Sequence, residues 1–106
     1  MITILAVGED AEALAALGAA HPSVEILTAR GAEDALERLA RNRRIDAVLL
    51  LAGTGASRTA ALVLEEDPGA PPIFAAISGA AGVRRIEPGP PDAMLSRVIQ
   101  ELSAQA

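Results

Sequence analysis

Three short segments hold most of the residues that could do chemistry, and each follows an apolar run: Gly8-Glu9-Asp10, Gly53-Thr54-Gly55-Ala56-Ser57 and Ser78-Gly79. In open α/β sheets, ligands bind beyond the carboxyl ends of the strands, and these segments fall there. The run from Gly53 leads into a helical pattern and could offer backbone N–H groups to a nucleotide or another anion. Two facts oppose that reading. Glu9, Asp10 and Glu87 would repel a phosphate, and a flexible turn with Ser57 as helix cap explains the same residues.

Other chemistries are excluded by residue type. The chain has no Cys, so it has no disulfides, thiolate catalysis or Cys-based zinc sites. All nine basic residues are Arg, which removes Schiff-base chemistry and a Walker lysine together. His21 is the single histidine, placed before Pro22 with no second imidazole and no carboxylate neighbour, and it reads as a surface loop residue. No G-x-S-x-G segment puts a nucleophile on a strand-to-helix elbow. The sequence therefore reads as a non-enzyme with no cofactor.

Charge and composition narrow the partners. A net charge of −5 argues against nucleic acid, whose phosphates reward clustered cations. The one basic cluster, Arg38, Arg41, Arg43 and Arg44, closes a predicted helix, where cations complement the negative end of the dipole. The acidic run Glu65-Glu66-Asp67 reads as a solvated helix end. The apolar start, Met1 to Val7, lacks a basic leader and is too short to span a bilayer. A cytoplasmic protein with no membrane contact is expected, as a single domain over residues 1–106 with a core of Leu, Ile, Val and Ala around Phe74, the one aromatic residue.

Those segments are positioned by an alternation of two periodicities. Ile2 to Val7, Val24 to Thr28, Asp46 to Leu51, Ile73 to Ile77 and Val83 to Ile86 read as strands. Their nearly unbroken apolar character suggests burial on both faces, as in a parallel sheet. Helices are expected from Glu9 to Ala20, across the stripe Ala32, Ala35, Leu36, Leu39 and Ala40, from Ser57 to Glu66, and from Pro91 to Ala104. Pro91 suits a first helical turn.

With these elements in place, Ile4-Leu5-Ala6-Val7-Gly8-Glu9-Asp10, the stretch from Glu25 to Leu51, and Glu87-Pro88 before the last helix resemble a response-regulator receiver domain of the CheY-like family. The resemblance covers most of the chain to about residue 51 and then weakens. It implies a flavodoxin-like three-layer α/β sandwich around a mainly parallel five-stranded sheet in the order 2-1-3-4-5.

The resemblance also shows what has been replaced. A receiver needs an acidic pair for Mg²⁺, an acceptor aspartate, a phosphate-sensing hydroxyl and a lysine, and Mg²⁺ demands oxygen ligands in near-octahedral geometry. Here the acidic pair falls on Gly8 and Glu9, with Asp10 one residue late, and the acceptor falls on Leu51. The hydroxyl position falls on Ile77 or, shifted by one, on Ser78; the lysine position falls on Glu87, which reverses the charge. These substitutions imply a pseudo-receiver that lacks the phospho-acceptor aspartate and does not switch by phosphorylation.

A second departure is length. Between Ile77 and Val83 only five residues remain where the family places a helix, and five extended residues reach about 17 Å at roughly 3.3 Å each. The fourth helix is therefore expected to be missing. Either a Gly/Ala segment recrosses the sheet, the favoured reading because Glu87-Pro88 keeps its place, or the fifth strand runs antiparallel. Loss of that helix is expected to uncover apolar surface. Gly79, Ala80 and Ala81, with Arg84, Arg85, Met94, Leu95, Val98, Ile99 and Leu102, then form the expected interface for a homodimer or for a protein partner in a signalling assembly. The alternatives are a small-ligand sensor using the Gly53 to Ser57 loop and, less favoured, a small enzyme.

Overall fold

A computed structural model of the chain describes residues 2–8, 11–20, 24–42, 44–51, 56–66, 71–76 and 82–104. Nine elements follow in order: β1 (Ile2–Val7), α1 (Ala11–Ala20), β2 (Val24–Ala29), α2 (Ala32–Arg41), β3 (Ala47–Leu50), α3 (Ala56–Glu66), β4 (Ile73–Ala75), β5 (Val83–Arg85) and α4 (Pro91–Ala104). The five strands make one sheet in the order β2-β1-β3-β4-β5. Every neighbouring pair is parallel, with Ile4 beside both Ile26 and Ala47. β5 runs parallel to β4, which resolves its direction in favour of a connection that recrosses the sheet. Residues 77–81, on which the expected loss of the helix turns, lie outside the described residues.

Strand alternation divides the core into two layers. Ile4, Ala6, Ala47, Leu49 and Phe74 face α1 and α4, where they meet Leu14, Leu17, Met94, Leu95 and Val98. Leu5, Val7, Val48, Leu50, Ile73 and Ala75 face α2 and α3, where they meet Ala35, Leu39 and Val63. Alternation within the apolar strand runs puts Leu5, Val7, Ile26, Val48, Leu50, Ile73 and Ala75 inside, and all are buried except Ile26, which is half-buried because β2 lies at the sheet edge. Ala35 and Leu39 lie four apart on α2, while Glu33, Glu37, Arg38 and Arg41 stay exposed. Arg38 and Arg41 of the basic cluster pair with Asp34 and Glu37 one turn earlier, at 3.8 and 2.9 Å. Exposed i,i+4 pairs of this kind add only a few tenths of a kcal/mol.

Three expectations are corrected. The sheet face is not bare where a helix was expected to be lost: Ile73 and Ala75 are 1% and 0% exposed, with Val63 and the half-buried Val83 in the same cluster. The last helix does not turn its apolar surface outward either. Met94, Leu95 and Val98 are buried, because α4 lies on the opposite face of the sheet and packs against both the strands and α1. The apolar stripe is wide because it serves those two contacts. Ile99 and Leu102 flank it, half-buried. Finally, α3 begins at Ala56, so Ser57 lies inside its first turn and not at the cap.

One polar contact sets the start of the β1–β3 ladder. The Asp46 N–H donates to the Thr3 carbonyl at 2.8 Å, and the Thr3 N–H donates to Asp46 Oδ2 at 2.9 Å. The carboxylate thus serves Thr3 where β3 has not yet begun. Nothing in residue type alone marks Asp46 for this role. Asp46→Ala leaves the Thr3 N–H without its acceptor and should cost about 1–3 kcal/mol, whereas Asp46→Asn retains an acceptor oxygen and should cost less. Chemical denaturation of the two variants checks the order.

Candidate functional site

The carboxyl ends of β1 and β3 lie side by side, and the ladder continues one residue beyond each strand. Gly8 N–H donates to the Ala29 carbonyl at 3.0 Å, and Leu51 N–H donates to the Val7 carbonyl at 2.9 Å. These bonds fix the backbone of Gly8 and Leu51 next to each other. The Leu51 side chain then lies over Gly8: a Cβ added at Gly8 would stand 3.3 Å from both Cβ and Cδ1 of Leu51. Positive φ occurs only at Gly82 among the described residues, so Gly8 meets a demand for space and not for a left-handed backbone.

Leu51 is 8% exposed and belongs to the core layer that holds Ile4, Ala6 and Phe74. Its side chain therefore extends the apolar interior up to the sheet end. An isobutyl group offers neither a nucleophilic oxygen nor a metal ligand, and Gly8 beside it offers no side chain at all. Glu9, Asp10 and Ser78 lie outside the described residues, as do His21 and the glycines of the Gly53 to Gly55 segment. Glu87 is described and exposed, in the loop between β5 and α4. No group of three or more His, Cys, Asp or Glu able to hold a metal occurs among the described residues.

A second feature lies at the β5 end of the sheet. Arg85, Glu87, Pro88, Ser96, Arg97 and Gln100 line an open groove of about 670 Å³ between the β5–α4 loop and α4. Arg84 and Arg85 are exposed; the Arg84 guanidinium stands 5.7 Å from the centre of the Phe74 ring, within cation–π range. Arg97 is held by Glu101 one turn later at 3.2 Å. The expected interface is thus divided: Arg84, Arg85, Ile99 and Leu102 reach the surface wholly or in part, Met94, Leu95 and Val98 do not, and Gly79, Ala80 and Ala81 lie outside the described residues. The groove was missed in the sequence because Ser96, Arg97 and Gln100 look like ordinary solvated helix positions until Pro88 to Pro90 are folded beside them. Among the described residues, no helix is long and apolar enough to cross a membrane.

No protein-family model matches the sequence, and no curated protein matches it. Solved structures do. A response regulator from Thermotoga maritima is 22% identical with a TM-score of 0.68, over 97% of this chain and 98% of that one. A chain in the complex of the phosphorylated P1 domain of CheA3 with CheY6 from R. sphaeroides is 22% identical with a TM-score of 0.64, over 97% of each chain. A putative pilus assembly-related protein from Burkholderia pseudomallei is 21% identical with a TM-score of 0.62, over 100% of this chain and 92% of that one. At these identities the likeness is one of architecture, and the strand order and parallel pairing agree with it: the chain has the flavodoxin-like fold found in receiver domains.

Proposed function

We propose that this domain is a pseudo-receiver that works without phosphorylation, as a signalling or adaptor module that binds another protein. The observation that carries the reading is the packing of Leu51 over Gly8 at the carboxyl ends of β3 and β1. Phosphoryl transfer is almost entirely positioning and charge stabilisation around a nucleophile and a metal. In this chain an apolar contact occupies the place where the receiver resemblance puts the nucleophile and one of the metal's carboxylates. Glu87, at the position of the neutralising lysine, adds repulsion. Several of the solved structures of similar fold are response regulators, and one of them is a complex of CheY6 with the phosphorylated P1 domain of CheA3, which supports a role in two-component signalling and a protein as the ligand.

The proposed partner surface lies at β5 and α4, on Arg84, Arg85, Ile99 and Leu102; Arg85 also lines the groove beside Pro88 and Arg97, and the segment Gly79 to Ala81 precedes β5 in sequence. Met94, Leu95 and Val98 support this surface from beneath. Arg85→Glu reverses an exposed charge there and should weaken partner capture while leaving the unfolding midpoint unchanged; equal capture by both forms would place the partner elsewhere.

Treatment with acetyl phosphate and Mg²⁺ should add no phosphoryl group, as read by intact-mass spectrometry. An acid-labile adduct would overturn the proposal. The apolar contact itself is tested by Gly8→Asp, which forces a carboxylate against Leu51. It should lower stability by about 1–3 kcal/mol, combining overpacking with desolvation of a polar group. In a Leu51→Ala background the same substitution should cost less, and thermal unfolding of the four chains in that cycle measures the coupling.

A further inference from the structure

The two open edges of the sheet differ. β5 is three residues long and carries the exposed Arg84 and Arg85, the short, charged form by which proteins blunt an edge against pairing. β2 is six residues long, has no Pro or Lys, and carries one charge, Glu25. Its Ile26 and Leu27 are half-buried on opposite faces of the sheet, each packed against its own core layer. A recess of about 240 Å³ opens at its carboxyl-terminal half, lined by Leu14 and Ala15 of α1, Thr28 and Arg30, and Asp34 and Arg38 of α2.

The hydrogen-bonding groups on this edge that have no partner among the described residues follow from the ladder. Ala29 is paired with Val7, and its carbonyl accepts from Gly8 N–H, so the backbone groups of Ala29 point toward β1. In a parallel ladder alternate residues point the same way, so Leu27 and Glu25 also face β1. Val24, Ile26 and Thr28 then present their N–H and C=O groups to the open side.

We propose that β2 is a homodimerisation edge, pairing antiparallel with β2 of a second copy about a two-fold axis at Leu27 and joining the two sheets into one. A two-fold axis normal to the sheet keeps each residue on its own face. Centred on Leu27, it sets Ile26 against Thr28 of the other copy, twice, and both residues have outward-pointing backbone groups that can exchange bonds. Leu27 meets its own copy in a non-hydrogen-bonded pair, where side chains approach most closely. Glu25 falls opposite Ala29, whose small side chain leaves room for the carboxylate. By alternation Glu25 shares the face of α2, so it approaches the end of the other copy that carries Arg30 and the Arg38–Asp34 pair, two cations against one carboxylate. Within the ladder itself no like charges fall directly opposite one another, since Glu25 is the one charge on β2. Centring on Ile26 would instead press Glu25 against Leu27, which is the poorer match. The contrast with β5, where the same operation sets arginine against arginine, selects β2 as the self-complementary edge. This inference is independent of phosphorylation and of the β5–α4 surface.

Sedimentation velocity of the full chain up to about 1 mM should show a concentration-dependent dimer. Thr28→Pro removes an outward N–H that has no acceptor among the described residues, so it should yield a monomer whose unfolding midpoint equals that of the wild type at dilutions where both are monomeric. Should that variant fail to fold, Glu25→Arg should weaken the dimer by about tenfold or more through repulsion from the arginine end. Because the native chain has no Cys, Leu27→Cys gives a single thiol, which should cross-link to itself under mild oxidation; Thr28→Cys should cross-link far less. A wild-type chain that remains monomeric overturns the proposal. So does a dimer that neither Thr28→Pro nor Glu25→Arg affects and that Leu27→Cys does not trap.

Discussion

The structure depends on a parallel sheet whose central strands are covered on both sides. β1 is hydrogen-bonded to β2 and β3 and has Ile4, Leu5 and Ala6 fully buried. A strand so placed has no solvent face, so each side chain must find an apolar partner above or below. Every connection must then return across a face of the sheet. The division of helices, α1 and α4 on one side and α2 and α3 on the other, is the packing solution to that demand. The same constraint brings the ends of β1 and β3 together, so Gly8 and Leu51 are neighbours because of the topology.

That adjacency explains why the sheet end is apolar. In a sheet of this order, the loops after β1 and β3 meet at a crevice that usually takes a ligand. A carboxylate at such a position needs a cation or hydrogen-bond donors to offset its desolvation. A leucine needs only contact, which Gly8 provides by having no side chain in the way. The pair is mutually consistent: glycine opens the space and leucine fills it. Once the space is filled by hydrocarbon, a charge placed at one position alone meets an apolar neighbour at the other.

How far the sequence could be read follows from which forces are local. The limits of α4 and β1 agree with the reading from residue type, because Pro91 starts one and an unbroken apolar run defines the other. Leu5, Val7, Val48 and Leu50 were legible as core for the same reason: alternation on a doubly covered strand leaves them no other place. The carbonyl-like role of Asp46 was not legible, since it depends on where β3 starts relative to Thr3. The fate of Met94, Leu95 and Val98 was not legible either. Periodicity shows that a helix has a broad apolar side, but it does not say whether that side meets a sheet, a second helix or solvent. The answer lay in tertiary packing, which sets α4 against the strand residues Ile4, Ala6 and Leu49 on the face shared with α1.

The expected loss of a helix raised a further question about exposed surface, and small side chains answer it. Ala75 at full burial and Ile73 at 1% exposure show that the sheet at β4 is already covered, with Val63 and Val83 in the same cluster. β4 and β5 are three residues each, so the apolar area they offer is limited from the outset. β5 contributes two exposed arginines to that end of the sheet, with Arg84 placed over the Phe74 ring. Short strands and a charged edge thus limit the apolar area that this end of the sheet must cover. At the opposite edge the chain is not short, and there β2 keeps its full length, its apolar residues and its unpaired backbone.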